Sequence, residues 1–72
     1  MDIDYKKIKG FSKMSKHAQK LFVETYKKQT NSMDYKAKLK WLPVKVAEHK
    51  DCIKVYFTNS EWLHYYANGT WG

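Results

Sequence analysis

The hydrophobic period of the chain changes between Gln29 and Pro43, and that change restricts what the chain can fold into. In the first half Met14, Ala18, Leu21, Phe22, Thr25 and Tyr26 recur at three- and four-residue spacing, which places them on one stripe of a helix turning about 100° per residue. After Pro43 the pattern alternates. Val44 and Val46 are interleaved with Lys45 and Ala47, and Ile53, Val55 and Phe57 with Cys52, Lys54, Tyr56 and Thr58, the period of half-buried strands. A third apolar run follows from Glu61 to Ala67, then Asn68-Gly69, a strong hairpin signal, and a stub at Thr70 and Trp71. The order predicts an α+β domain: one amphipathic helix on a three-stranded antiparallel meander.

The expected segments are a basic arm over 1–11, a helix over 12–29 capped by Ser12 or Ser15, a connection over 30–40 and the meander over 42–72. Residues 33–40 suit either a short helix or an extended link. Seventy-two residues hold one small core, and the 43% hydrophobic and 17% aromatic content is too high for a disordered chain.

Register follows from making each turn a two-residue one. Turns at His49-Lys50, Asn59-Ser60 and Asn68-Gly69 set Val46 opposite Ile53, Val44 opposite Val55, Phe57 opposite Trp62 and Tyr66 opposite Trp71. The inner face is then Leu42, Val44, Val46, Ile53, Val55, Phe57, Trp62, His64, Tyr66 and Trp71. The outer face carries Lys45 directly opposite Lys54, with Cys52, Tyr56, Leu63 and Tyr65 around them. Ser60 stands where a positive φ favours glycine, and a three-residue loop there would turn Leu63 and Tyr65 inward instead.

All 14 cations are lysines against seven acids, a formal charge of +7. Arginine is the residue of bidentate guanine contacts, so its absence argues against sequence-specific duplex readout. An A+T-rich genome, such as that of a low-GC bacterium or a phage, would also produce the lysine excess, but not its placement. Residues 1–40 hold 11 lysines and four acids, +7, whereas residues 41–72 hold three of each and sum to zero. On the helix Lys13, Lys16, Lys20 and Lys27 share the side away from the apolar stripe, with His17 and Glu24. Such a face is commonly only the solvated side of an amphipathic helix; its alternative role is to track phosphates without regard to sequence. The outer patch, Lys45 and Lys54 with Tyr56, Leu63 and Tyr65, interleaves charge with rings as single-strand-binding sheets do. Its structural alternative is a second small core covered by the arm or by residues 33–40.

Trp62 to Trp71 resembles the aromatic hairpins of choline-binding cell-wall repeats over ten residues, but it occurs once and lacks the tandem copies between which those sites form. The order of a helix and three strands resembles the start of a double-stranded-RNA-binding domain; that family's second helix and lysine cluster have no counterpart after Asn68-Gly69. Neither resemblance assigns a family.

His49 and Cys52 offer two soft ligands where zinc needs three or four, and no group is evident to orient a Cys-His pair for catalysis. No cofactor motif is present. Cys52 is the only cysteine, so no internal disulfide forms; with no leader segment and no run near the ~20 apolar residues that span a bilayer, the expectation is a cytosolic, non-enzymatic binding module. Its expected partner is a nucleic acid or another acidic macromolecule, contacted by Lys13, Lys16, Lys20, Lys27, Lys45 and Lys54. The alternative is a protein, docked by Tyr56, Leu63 and Tyr65.

Overall fold

Ser15 begins the main helix. Its hydroxyl accepts from the Ala18 backbone N–H at 3.1 Å, satisfying one of the donors left free at a helix start, and α1 runs over Lys16–Thr30. The computed structural model describes residues 3–72. Helix formation therefore starts at the second of the two expected caps, and Phe11–Lys13 forms a separate 3-10 turn ahead of it. The stripe is buried as expected at Met14, Ala18, Phe22, Thr25 and Tyr26, with Leu21 packed at its margin. Gln29 and Thr30 extend it by one more turn.

The open segment 33–40 contains a short helix, α2 (Tyr35–Lys40), capped by Asp34, whose Oδ1 accepts from the Ala37 N–H at 2.8 Å. Strands β1 (Pro43–Glu48), β2 (Cys52–Phe57) and β3 (Trp62–Tyr66) form an antiparallel sheet in the order β1-β2-β3. The α+β architecture and the meander are as expected, while every turn differs by a residue from the expected geometry.

The first turn is Lys50-Asp51, closed by the His49 N–H donating to the Cys52 carbonyl at 2.8 Å. Val46 thus faces Val55 and Glu48 faces Ile53. This register keeps Val46, Ile53 and Val55 on the inner face. It also brings Glu48 to the start of α1, where its carboxylate accepts from the Ser15 N–H at 2.9 Å and the Ser15 hydroxyl at 3.1 Å. Lys45 consequently lies opposite Tyr56, and Lys54 lies between Ala47 and His64; the two lysines do not oppose one another. A bulge between Pro43 and Lys45 expels Val44, which is 44% exposed and not part of the core.

The second and third connections are three-residue loops, each with its last residue left-handed: Ser60 at φ 67° and Gly69 at φ 85°. Tyr56 therefore pairs with Trp62, Val55 with Leu63 and Ile53 with Tyr65. A one-residue change of register exchanges the faces of a strand. Leu63 and Tyr65 turn inward, Tyr65 with no exposed surface, while Trp62, His64 and Tyr66 turn outward. Trp71 pairs with Tyr65 and not with Tyr66, and is exposed.

The basic arm is part of the core. Ile8 and Phe11 are buried and Ile3 and Tyr5 pack against the same cluster. Phe22 stands at its centre, with ring centroids of Tyr5, Phe11, Tyr26 and Tyr65 at 5.9, 6.0, 6.1 and 5.6 Å. Lys9 pairs with the outer edge of β1, its N–H donating to the Val44 carbonyl at 3.3 Å and its carbonyl accepting from the Val46 N–H at 2.9 Å. Gly10 makes this approach possible: φ is 89°, and a Cβ would lie 2.2 Å from the Val46 carbonyl oxygen. On the opposite edge, Thr70 and Gly72 bond Tyr66 and His64 of β3. Both sheet edges are thus partly occupied by the chain itself, which limits edge-to-edge association.

Candidate functional site

The face of the sheet turned away from α1 carries three rows of side chains. Lys45, Tyr56 and Trp62 lie side by side in one row, Ala47, Lys54 and His64 in the next, and Cys52 with Tyr66 in the third. Trp62 and Tyr66 are 44% and 41% exposed, and Tyr56, His64 and Lys54 are half-buried among one another. The Tyr56 and Trp62 ring centroids are 4.6 Å apart, tilted by 46°, and His64 and Tyr66 stack at 6.1 Å and 20°. The Lys54 ammonium lies 4.5 Å from the centre of the Trp62 ring. That cation–π contact is worth about 0.5–1 kcal/mol at an exposed site, weak enough for a competing anion to draw the lysine away.

Of the expected outer patch, Lys45, Lys54 and Tyr56 are here. Tyr65 and Leu63 are not: both face α1, and Tyr65 is locked there by a hydrogen bond from its hydroxyl to the buried Gln29 side chain. Burial, with Tyr26 and Tyr5 close by, raises the Tyr65 phenol well above the ordinary tyrosine range. Burial likewise pushes Tyr26 up to about 12, with Tyr5 adding to the effect; its hydroxyl donates to the Trp41 carbonyl at 2.9 Å. These phenols are structural donors. In place of Leu63 and Tyr65 the outer face gains Trp62, His64 and Tyr66, which the two-residue register had assigned to the core. No residue-type signal marked them, because position 60 takes a positive φ in a two-residue and in a three-residue loop alike.

The helix lysines form a separate group. Lys16, Lys20 and Lys27 are exposed on α1 with His17 and Glu24, on the side of the helix away from the sheet. The domain body lies between them and the aromatic face, so the six expected lysines do not constitute one site. Three carboxylates are committed to backbone donors: Asp4 accepts from the Lys6 N–H, Asp34 from Ala37 and Glu48 from Ser15. Among the described residues, no group of three or more His, Cys, Asp and Glu is placed to hold a metal ion, and no helix is long and apolar enough to cross a membrane.

The chain matches no family model, no curated protein and no solved structure.

Flat rings offer apolar contact to other flat rings, and flanking ammonium groups offer charge to anions. Such a surface suits an extended ligand that alternates planar apolar groups with negative charges.

Proposed function

We propose that the protein is a non-enzymatic binding module for single-stranded nucleic acid, which it holds without sequence preference on the outer face of its sheet. The observation that carries this reading is the grouping of Tyr56, Trp62, His64 and Tyr66 with Lys45 and Lys54 on a face that leaves Trp62 and Tyr66 more than two-fifths exposed. Bases stack on Trp62 and Tyr66, and Lys45 and Lys54 contact the phosphates. Each stacked base contributes about 1–3 kcal/mol and tolerates any sequence, because every base has a π-face. A duplex, whose bases are already stacked on one another, gains only the phosphate contacts. The formal charge of +7 favours a polyanion over a second copy of the chain. Lys13, Lys16, Lys20 and Lys27 add to the attracting field, while the stacking takes place on the sheet.

Titration of a fluorescent oligothymidylate tests the reading. Trp62→Ala and Tyr66→Ala are each expected to weaken binding by about 1–3 kcal/mol, roughly 5- to 150-fold, with Trp62→Phe retaining most of the affinity. Both side chains are outside the core, so the variants should stay folded and lose only the stability of the surface contacts with Tyr56, Lys54 and His64. Absence of binding by the wild type at low salt, or wild-type affinity in both alanine variants, refutes it. Salt-insensitive capture of a protein, lost on Trp62→Ala, would instead favour the protein-interaction reading.

A further inference from the structure

The row that crosses the sheet does not stop at β1. Trp62 pairs with Tyr56, Tyr56 with Lys45, and Lys45 with Lys9 in a parallel bridge. At about 4.8 Å per strand these four residues form a line about 14 Å long, aromatic at one end and cationic at the other. Paired residues in a sheet direct their side chains to the same face, so Lys9 continues the outer surface. The 3-10 turn at Phe11–Lys13, with the Lys13 N–H donating to the Gly10 carbonyl at 3.2 Å, brings Lys13 to the same edge. Lys9, Lys13 and Lys45 line a shared groove beside β1, over a floor that includes Met14, Val46 and Ala47. Among the described residues the carboxylate lining it is Glu48, and both of its oxygens accept from Ser15.

This crowding of ammonium groups is imposed by the backbone. Lys9 is tied to β1 on both sides by its own N–H and carbonyl, and Gly10 admits the close approach. Like charges held at neighbouring register positions repel and destabilise a sheet. An anion in the groove would turn that repulsion into attraction.

Resting on the single-strand reading above, we infer that the backbone of the bound strand leaves the aromatic face across the β1 edge, its phosphates running along a track formed by Lys45, Lys9 and Lys13. The helix lysines Lys20 and Lys27 lie off this path. The track has no requirement for a 2′-hydroxyl, so it takes DNA and RNA single strands alike.

The test compares Lys9→Gln/Lys13→Gln with Lys20→Gln/Lys27→Gln, which removes the same charge elsewhere, using oligothymidylate and oligouridylate over a range of salt. Each single-strand phosphate contact contributes about 0.7 to the slope of log affinity against log salt. The track variant is expected to lose about 1.4 in slope, equivalent to about a sevenfold change in relative affinity over a fourfold range of salt, with either oligonucleotide. The helix variant, which removes only longer-range attraction and no phosphate contact, should lose well under half as much slope. All four lysines are exposed, and unchanged thermal unfolding confirms that each variant folds. Equal flattening in the two variants, or none in either, overturns the track while leaving the stacking face standing, provided Trp62→Ala still weakens binding. If Trp62→Ala and both lysine pairs are without effect, the track and the single-strand reading fall together.

Discussion

Tyr65 illustrates how much a single hydroxyl decides. Its ring stacks against Phe22 at 5.6 Å and its oxygen donates to Gln29 in the middle of the core. Tyr65→Phe keeps the ring and removes the donor, leaving the buried Gln29 oxygen without that partner. Such an unpaired polar group costs about 1–3 kcal/mol, a large part of the ~3–5 kcal/mol that a core of this size supplies. The expected outcome is a clear drop in the urea midpoint with affinity for single strands unchanged wherever the variant is folded, because Tyr65 has no surface to offer a ligand. Trp62 faces the other way: its loss is expected to reduce binding and to cost stability only through its surface contacts with Tyr56 and Lys54. The two residues are three apart in sequence, and the sheet pleat turns them to opposite faces.

At the scale of elements, the two later hairpins use one device. Phe57-Thr58-Asn59-Ser60-Glu61-Trp62 and Tyr66-Ala67-Asn68-Gly69-Thr70-Trp71 are alike in pattern. In each, the asparagine Oδ1 accepts from the backbone N–H two residues on, at 3.0 and 3.2 Å. The left-handed residue donates back to the aromatic carbonyl, at 3.0 Å from Ser60 to Phe57 and 2.9 Å from Gly69 to Tyr66. Only one copy has glycine at the strained position. A non-glycine residue in the left-handed region carries about 1–2 kcal/mol of strain, whereas glycine adds flexibility to the unfolded chain at about 0.5–1 kcal/mol. Ser60→Gly is accordingly expected to stabilise the protein by about 0.5–1 kcal/mol, seen as a rise of several degrees in Tm for a domain of this size. A fall in Tm would show that Ser60 itself contributes more than its conformation costs.

For the whole molecule, the aromatic centre couples folding to alkaline pH. Burial raises the phenols of Tyr5, Tyr26 and Tyr65, Tyr26 to about 12, above the ordinary value of 10.0 that they regain on unfolding. A raised folded-state pKa contributes stability that is fully present below the unfolded value and is lost as pH rises through the folded one. The contribution of Tyr26 should be constant below about pH 10 and decline between about pH 10 and 12. The tyrosinate absorbance of the buried phenols is expected to appear together with loss of near-UV circular dichroism. Ionisation of Tyr26 and Tyr65 at the ordinary tyrosine value, with the fold retained, would contradict their buried placement.

Local pattern alone was sufficient for the helix stripe, the three strands and the inward placement of Val46, Ile53, Val55 and Phe57, because each depends on a short repeat that the chain carries in itself; it left the cap open between Ser12 and Ser15, which the contact with Glu48 decides. Lys45, Lys54 and Tyr56 were legible as an outer group for the same reason. The faces of β3 were not, since they hinge on one loop residue and Ser60 adopts a conformation that its type disfavours. Nor could periodicity reveal the arm as core, because Lys9 reaches β1 only through the glycine at position 10, which allows backbone to approach backbone across 36 residues of chain. Alternation marks which residues share a strand face; the loop length and long-range contacts, here Glu48 with Ser15 and Gly10 with Val46, decide which face meets the helix and which is left to solvent.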